Sequence, residues 1–139
     1  MKTKMINFVI IGGGNFGREA AEIAKRIDEK EENFKFLGFI DEYEENQGNV
    51  VNEVPVLGSL EWIKEKFKGD KLFFACSLGD TINRKELGER ALKHSYIPYS
   101  IIHPSVLVRY GAKIGDGVII SPKCVIGPKV IIKNHVIYF

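Results

Sequence analysis

The chain has 139 residues, a size that suits one domain or two small units, and it is 45% hydrophobic and 27% charged. Its formal net charge of +2 comes from interspersed Lys, Arg, Asp and Glu, so there is no basic stripe and nucleic acid is excluded as the expected partner. No apolar run is long enough for a transmembrane helix, and Met1-Lys2-Thr3-Lys4 with the apolar Met5 to Ile11 is no signal peptide, because glycines interrupt it before any cleavage site.

Ile6 to Ile11 is an apolar run of strand length, and Gly12-Gly13-Gly14-Asn15-Phe16-Gly17 follows it. A helix is predicted from Phe16 to Lys30, with Ala20, Ile23, Ala24 and Ile27 on one face. The glycines therefore match G-x-G-x-x-G between a buried strand and an amphipathic helix. Asp41 lies at the end of the next predicted strand, Phe34 to Ile40. Missing side chains let backbone amides approach a diphosphate, the helix start adds positive dipole, and the carboxylate can accept ribose hydroxyl protons. The competing reading is a tight turn and nothing more. Glu42 to Glu53 reads as a mobile surface loop whose acids are only solvated.

Val54 to Gly58 follows as a strand, then a helix from Ser59 to Lys66 capped by Ser59, a strand from Lys71 to Cys76, and a helix from Thr81 to His94. Asp80 stands where it can cap that helix, Arg84 is expected to pair with an acidic neighbour, and His94 suits its C-terminal end. A last strand around Ile97 completes a parallel α/β unit over residues 1–100. One hundred residues make one mononucleotide-binding half, so a single nucleotide diphosphate fits better than a dinucleotide.

From Ile102 the grammar changes. Ile102, Val108, Ile114, Ile120, Ile126 and Ile132 recur every six residues, with Val106, Ala112, Val118, Cys124, Val130 and Val136 at the fifth positions. That period fits short strands joined by tight corners in a parallel β-helix over residues 101–139, with both apolar sets turned inward. Corners are expected at the second and third positions, such as Gly115-Asp116 and Gly127-Pro128. The pattern is still running at Phe139, so a cap or further coils are expected beyond it. Cys76 and Cys124 read as buried thiols of a reducing cytoplasm, and no metal-ligand spacing appears. His135 is expected to point outward.

The order of these pieces resembles the bacterial nucleotide-sugar acetyltransferases, which acetylate amino-sugar nucleotides or sialic acids. The resemblance rests on the Ile11 to Glu19 loop, Gly38-Phe39-Ile40-Asp41, Val54 to Gly58, Gly79-Asp80 with Arg84, Ile102-His103-Pro104-Ser105, and Ala112 to Ile120. It implies a Rossmann-like unit that binds a UDP-type sugar nucleotide, followed by a left-handed β-helix that forms a homotrimer and binds acetyl-CoA between subunits. By position, Gly12, Gly14, Asn15, Phe16 and Gly17 would face the diphosphate or sugar and Asp41 the nucleoside, with Gly79, Asp80, Arg84 and His103 as further substrate-binding candidates. Phe16 stands where many members carry histidine. Acyl transfer needs a base, and the resemblance puts that histidine about seven residues past Phe139, so the 139-residue chain is expected to be inactive alone. A non-catalytic nucleotide-binding or assembly module and an NAD(P)-binding protein are the alternatives.

Overall fold

The computed structural model describes residues 4–51 and 53–138; the side chain of Asn15 and the Met1-Lys2-Thr3 start of the segment weighed as a signal peptide lie outside the described residues. Strands β1 (Ile6–Ile11), β2 (Phe34–Ile40), β3 (Val50–Val51), β4 (Val54–Gly58), β5 (Leu72–Cys76) and β6 (Ile97–Pro98) form one sheet, ordered β3-β4-β2-β1-β5-β6. All its pairings are parallel except β3 with β4. Helices α1 (Asn15–Lys30), α2 (Leu60–Lys66) and α3 (Thr81–Lys93) complete the unit.

Alternation along β1 explains the layering, because successive side chains leave opposite faces of a strand. Phe8 and Ile10 pack with Ala20, Ile23 and Ala24 of α1, whereas Val9 and Ile11 pack with Leu60 and Ile63 of α2 and Ala91 of α3. Both faces of the sheet are thus covered, as continuous apolar strands require. Helix starts follow local chemistry. Ser59 accepts the Trp62 amide at 3.2 Å, and Asp80 accepts those of Ile82 and Asn83 at 2.9 and 3.4 Å.

The segment after Asp41 differs from a mobile loop. It holds a 3-10 turn at Glu44–Asn46 and strand β3, which pairs antiparallel with β4 through Val50 opposite Pro55 and Val51 opposite Val54. Side-chain anchoring accounts for the difference. Asp41 accepts the Tyr43 amide and Asn46 Nδ2, each at 2.9 Å, and Glu42 accepts the Leu60 amide at 3.3 Å. These acids are structural as well as solvated.

Beyond Ser100 come β7 (Ile101–Ile102), β8 (Leu107–Val108), β9 (Lys113–Ile114), β10 (Ile119–Ile120), β11 (Val125–Ile126), β12 (Ile131–Ile132) and β13 (Ile137–Tyr138). They stack in parallel as β7-β10-β13, β8-β11 and β9-β12, with Ile101 opposite Ile119 and Ile119 opposite Ile137. Three hexapeptides therefore make one coil. Val118, Ile120, Cys124, Ile126 and Ile132 are buried inside, with Ile102, Val106, Ala112, Ile114 and Val136 packed against them. Val108 and Val130 depart from the pattern at 41% and 38% exposed. Each lies in a coil with a stacked neighbour on one side only, β8 under β11 and β12 over β9.

The corners turn one position later than expected. Gly111, Gly117, Lys123, Lys129 and His135, all fourth in their hexapeptides, have φ between +59° and +78°. Left-handed backbone there turns the chain from one face of the coil to the next. The α/β unit packs along one face of the coils: Ile101, Ile119 and Ile137, one from each strand of the β7-β10-β13 stack, join the α1-side core with Phe8 and Tyr99. Among the described residues no helix is long and apolar enough to cross a membrane.

Candidate functional site

β1 ends by running directly into the glycine loop. Gly12 has φ +103°, and its amide donates to the Ile40 carbonyl at 3.0 Å. Ser77, at the end of β5, fixes the loop from the other side: its hydroxyl donates to the Gly12 carbonyl at 2.7 Å. Gly17 allows α1 to begin there, because a Cβ on it would collide with the Gly12 carbonyl. Gly14 occupies the N-cap position of α1 without a capping side chain, so the positive end of the helix dipole opens at the base of the loop.

A cleft of about 360 Å³ opens over this loop. Gly12, Gly13 and Gly14 form its base, Asp41, Glu42, Tyr43 and Asn46 one lip, and Asn83, Glu86, Leu87 and Arg90 of α3 the other. The α3 residues recur at intervals of three and four, which places them on one helix face. Arg90 is held by Glu61 at 2.8 Å and Glu42 at 3.6 Å, and His94 Nε2 lies 3.3 Å from Glu61. A backbone hydrogen bond, then Arg90, hold the Glu61 carboxyl below its ordinary range, while the Glu61 contact raises Arg90 further above its own. The charges of α2, α3 and the Asp41 segment are thereby linked across the rim of the cleft.

Of the residues expected at a site, Gly12, Gly14 and Asp41 line this cleft. Asn15 opens α1, and Gly17 acts from behind. The ring of Phe16 lies against Gly79, where an added Cβ would approach it to 2.7 Å. Asp80 is the α3 N-cap. Arg84 does not pair with an acid: its Nη1 donates to the Leu78 carbonyl at 3.0 Å, bracing the turn after β5. His103 belongs to another surface, a depression lined also by Glu22, Arg26, Pro104 and Pro122, where its Nδ1 lies 2.8 Å from Ser105 Oγ.

His135 also departs from expectation. It is half-buried, its ring stacks on Phe74 at 6.0 Å between centroids, and its Nδ1 is buried beside Gly117 without a hydrogen-bond partner. The side chain lies against Phe74 of β5. Burial lowers its pKa from the ordinary value, reinforced by the nearby Arg84 charge and opposed by Asp116. Cys76 is buried as expected, and that burial pushes its thiol up to about 11.

The motif left Tyr43, Asn46, Leu78, Asn83, Glu86 and Arg90 unnamed. Only the α3 spacing carried a signal for them, and an exposed helix face gives the same spacing. The arrangement can cradle an anionic diphosphate on backbone amides and flank a nucleoside between two polar lips.

Comparison with known proteins agrees with this geometry. The model of the PglD N-terminal domain matches residues 7–91. GDP-perosamine N-acetyltransferase of Escherichia coli O157:H7 is 31% identical over 114 residues, which are 81% of this chain and 50% of that protein. The structure of a perosamine N-acetyltransferase mutant from Caulobacter crescentus, in complex with CoA and GDP-perosamine, superposes with a TM-score of 0.80 at 24% identity. That match covers 99% of this chain and 61% of the other. The acetyltransferase domain of PglB from Neisseria gonorrhoeae FA1090, in complex with acetyl coenzyme A, gives 0.78 at 23% identity, covering 96% and 61%. These two structures share the fold, and the chain spans about half to three-fifths of the length of such relatives. The matched residues 7–91 run from β1 into α3 and so include every residue that lines the cleft, and the chain belongs to the PglD N-terminal domain family.

Proposed function

We propose that this chain carries the acceptor-binding unit of an acetyl-CoA-dependent N-acetyltransferase that acts on a nucleotide-linked amino sugar in bacterial glycan synthesis. The observation that carries the reading is the cleft over Gly12 to Gly14, walled by Asp41 and α3, with the uncapped start of α1 at its base. Amides of Gly13 to Asn15 hold the diphosphate, and Asp41, already braced by Tyr43 and Asn46, faces the nucleoside. Phe16, Gly79 and Arg84 flank the exit from the loop, where the sugar leaves the diphosphate. Acetyl-CoA is the acyl donor and a substrate. The histidine base is proposed past Phe139, as the family resemblance implies.

The relatives named above support a nucleotide sugar, and those that specify it carry guanosine diphosphate rather than the uridine diphosphate expected from the resemblance. A homotrimer is proposed on the outer faces of the β-helix, where Leu107, Val125 and Ile131 are 58%, 55% and 64% exposed.

Calorimetric titration of the protein with nucleoside diphosphates and with NADH tests this reading. Saturable diphosphate binding, weakened in Asp41→Asn, is expected. Tighter binding of NADH would overturn it in favour of a nicotinamide cofactor.

A further inference from the structure

The hydrogen-bonding inventory of the cleft is lopsided. On the Asp41 lip, the Tyr43 amide and Asn46 Nδ2 both serve Asp41, and the Leu60 amide serves Glu42, so both carboxylates are already engaged. On α3, Asn83 Nδ2 donates to Asp80 at 3.1 Å, which leaves Asn83 Oδ1 as an acceptor. Glu86, one turn further along the same face, makes no hydrogen bond or ion pair with another described residue. Arg90, one turn beyond Glu86, spends Nη2 on Glu61 and retains other guanidinium protons. From Asn83 to Arg90 the helix face therefore presents acceptor, carboxylate, cation.

We propose that this face of α3 reads a guanine base, with Glu86 accepting the adjacent N1–H and N2 amino protons and Arg90 meeting O6. The proposal rests on the nucleotide-binding reading above and specifies its base. Among the nucleobases only guanine combines adjacent ring N–H and amino donors with a neighbouring carbonyl. Glu86 can accept both donors on one carboxylate, the geometry that makes bidentate charged pairs selective. Uracil offers one N–H flanked by two carbonyl oxygens. Against Glu86 its oxygens meet negative charge, and its single donor uses half of the carboxylate. Leu87, between Glu86 and Arg90 in the lining, and Leu78 supply apolar surface for the ring faces.

Titration with GDP, IDP and UDP tests the assignment, because IDP keeps N1–H and O6 and lacks only the amino group. GDP should bind at least about tenfold more tightly than UDP, with IDP between them, a range set by hydrogen bonds to charged groups. Glu86→Gln should weaken GDP about tenfold, narrow the gaps from GDP to IDP and to UDP, and leave thermal stability unchanged, since Glu86 is exposed. UDP binding as tight as GDP binding, or an equal loss for both in the variant, would overturn the guanine assignment and leave the nucleotide reading standing. No binding of any diphosphate would overturn both.

Discussion

Gly17 and His135 show how single positions govern the two halves of the molecule. At Gly17 the constraint is space, because any Cβ meets the backbone carbonyl of Gly12, which cannot rotate aside as a side chain could. Gly17→Ala should lower stability by about 1–3 kcal/mol, the usual cost of overpacking, and should weaken diphosphate binding by displacing the start of α1. Thermal unfolding and titration of one preparation separate the two effects. At His135 the constraint is charge. Arg84 from α3 and Asp116 from the adjoining corner are the charged groups that act on it, and burial with Arg84 outweighs Asp116, so the folded pKa lies below the ordinary 6.5. The unfolded chain then binds its proton first as pH falls, and stability is lost progressively below about pH 6.5. His135→Asn, which tolerates left-handed backbone, should flatten the fall in melting temperature between pH 7 and pH 5. An unchanged slope would show that other groups set it.

At the scale of elements, α3 has two tasks, since Ala91 faces the core while Asn83, Glu86 and Arg90 face the cleft. Its N-cap is therefore worth more than helix stability. Asp80→Ala removes acceptors for two amides and for Asn83 Nδ2, and should cost about 1 kcal/mol by denaturant unfolding. Ser59→Ala should cost a similar amount through α2, yet only Asp80→Ala should also lower nucleotide affinity. Strand and helix limits were legible because continuous apolar runs and caps leave local marks; Phe34 to Ile40 and Val54 to Gly58 fall where the sequence places them. The Asp41 segment was not legible, since its order comes from carboxylates reaching amides up to eighteen residues away, as Glu42 reaches Leu60. Nor were the corners. Lys123, Lys129 and His135 adopt a backbone for which side-chain identity gives little warning, and stacking with the next coil overrides local preference. Gly12, Gly14 and Asp41 were readable as a motif, whereas the α3 lip emerged only when the fold brought it over them.

Across the whole molecule, the α/β unit packs along the β7-β10-β13 face of the β-helix, and the other outer sides of the coils carry exposed apolar residues. Leu107 pairs with Val125 on one stack, and Ile131 with Lys113 on another. These side chains contribute nothing to the interior formed by Val118, Ile120 and Ile126. Substituting one of them therefore separates assembly from folding. If the faces pack around a threefold axis, light scattering should give three times the chain mass, and Val125→Glu should shift it toward the monomer by burying a charge at the contact. The melting temperature measured at a concentration where the parent is already monomeric should be unchanged, because Val125 is 55% exposed within its own chain. Ile126→Ala, one residue along, should do the reverse: its side chain is fully buried, so truncation should cost about 2–5 kcal/mol of stability. A parent protein that scatters as a monomer at all concentrations would remove the threefold assembly and leave these faces without the proposed partner.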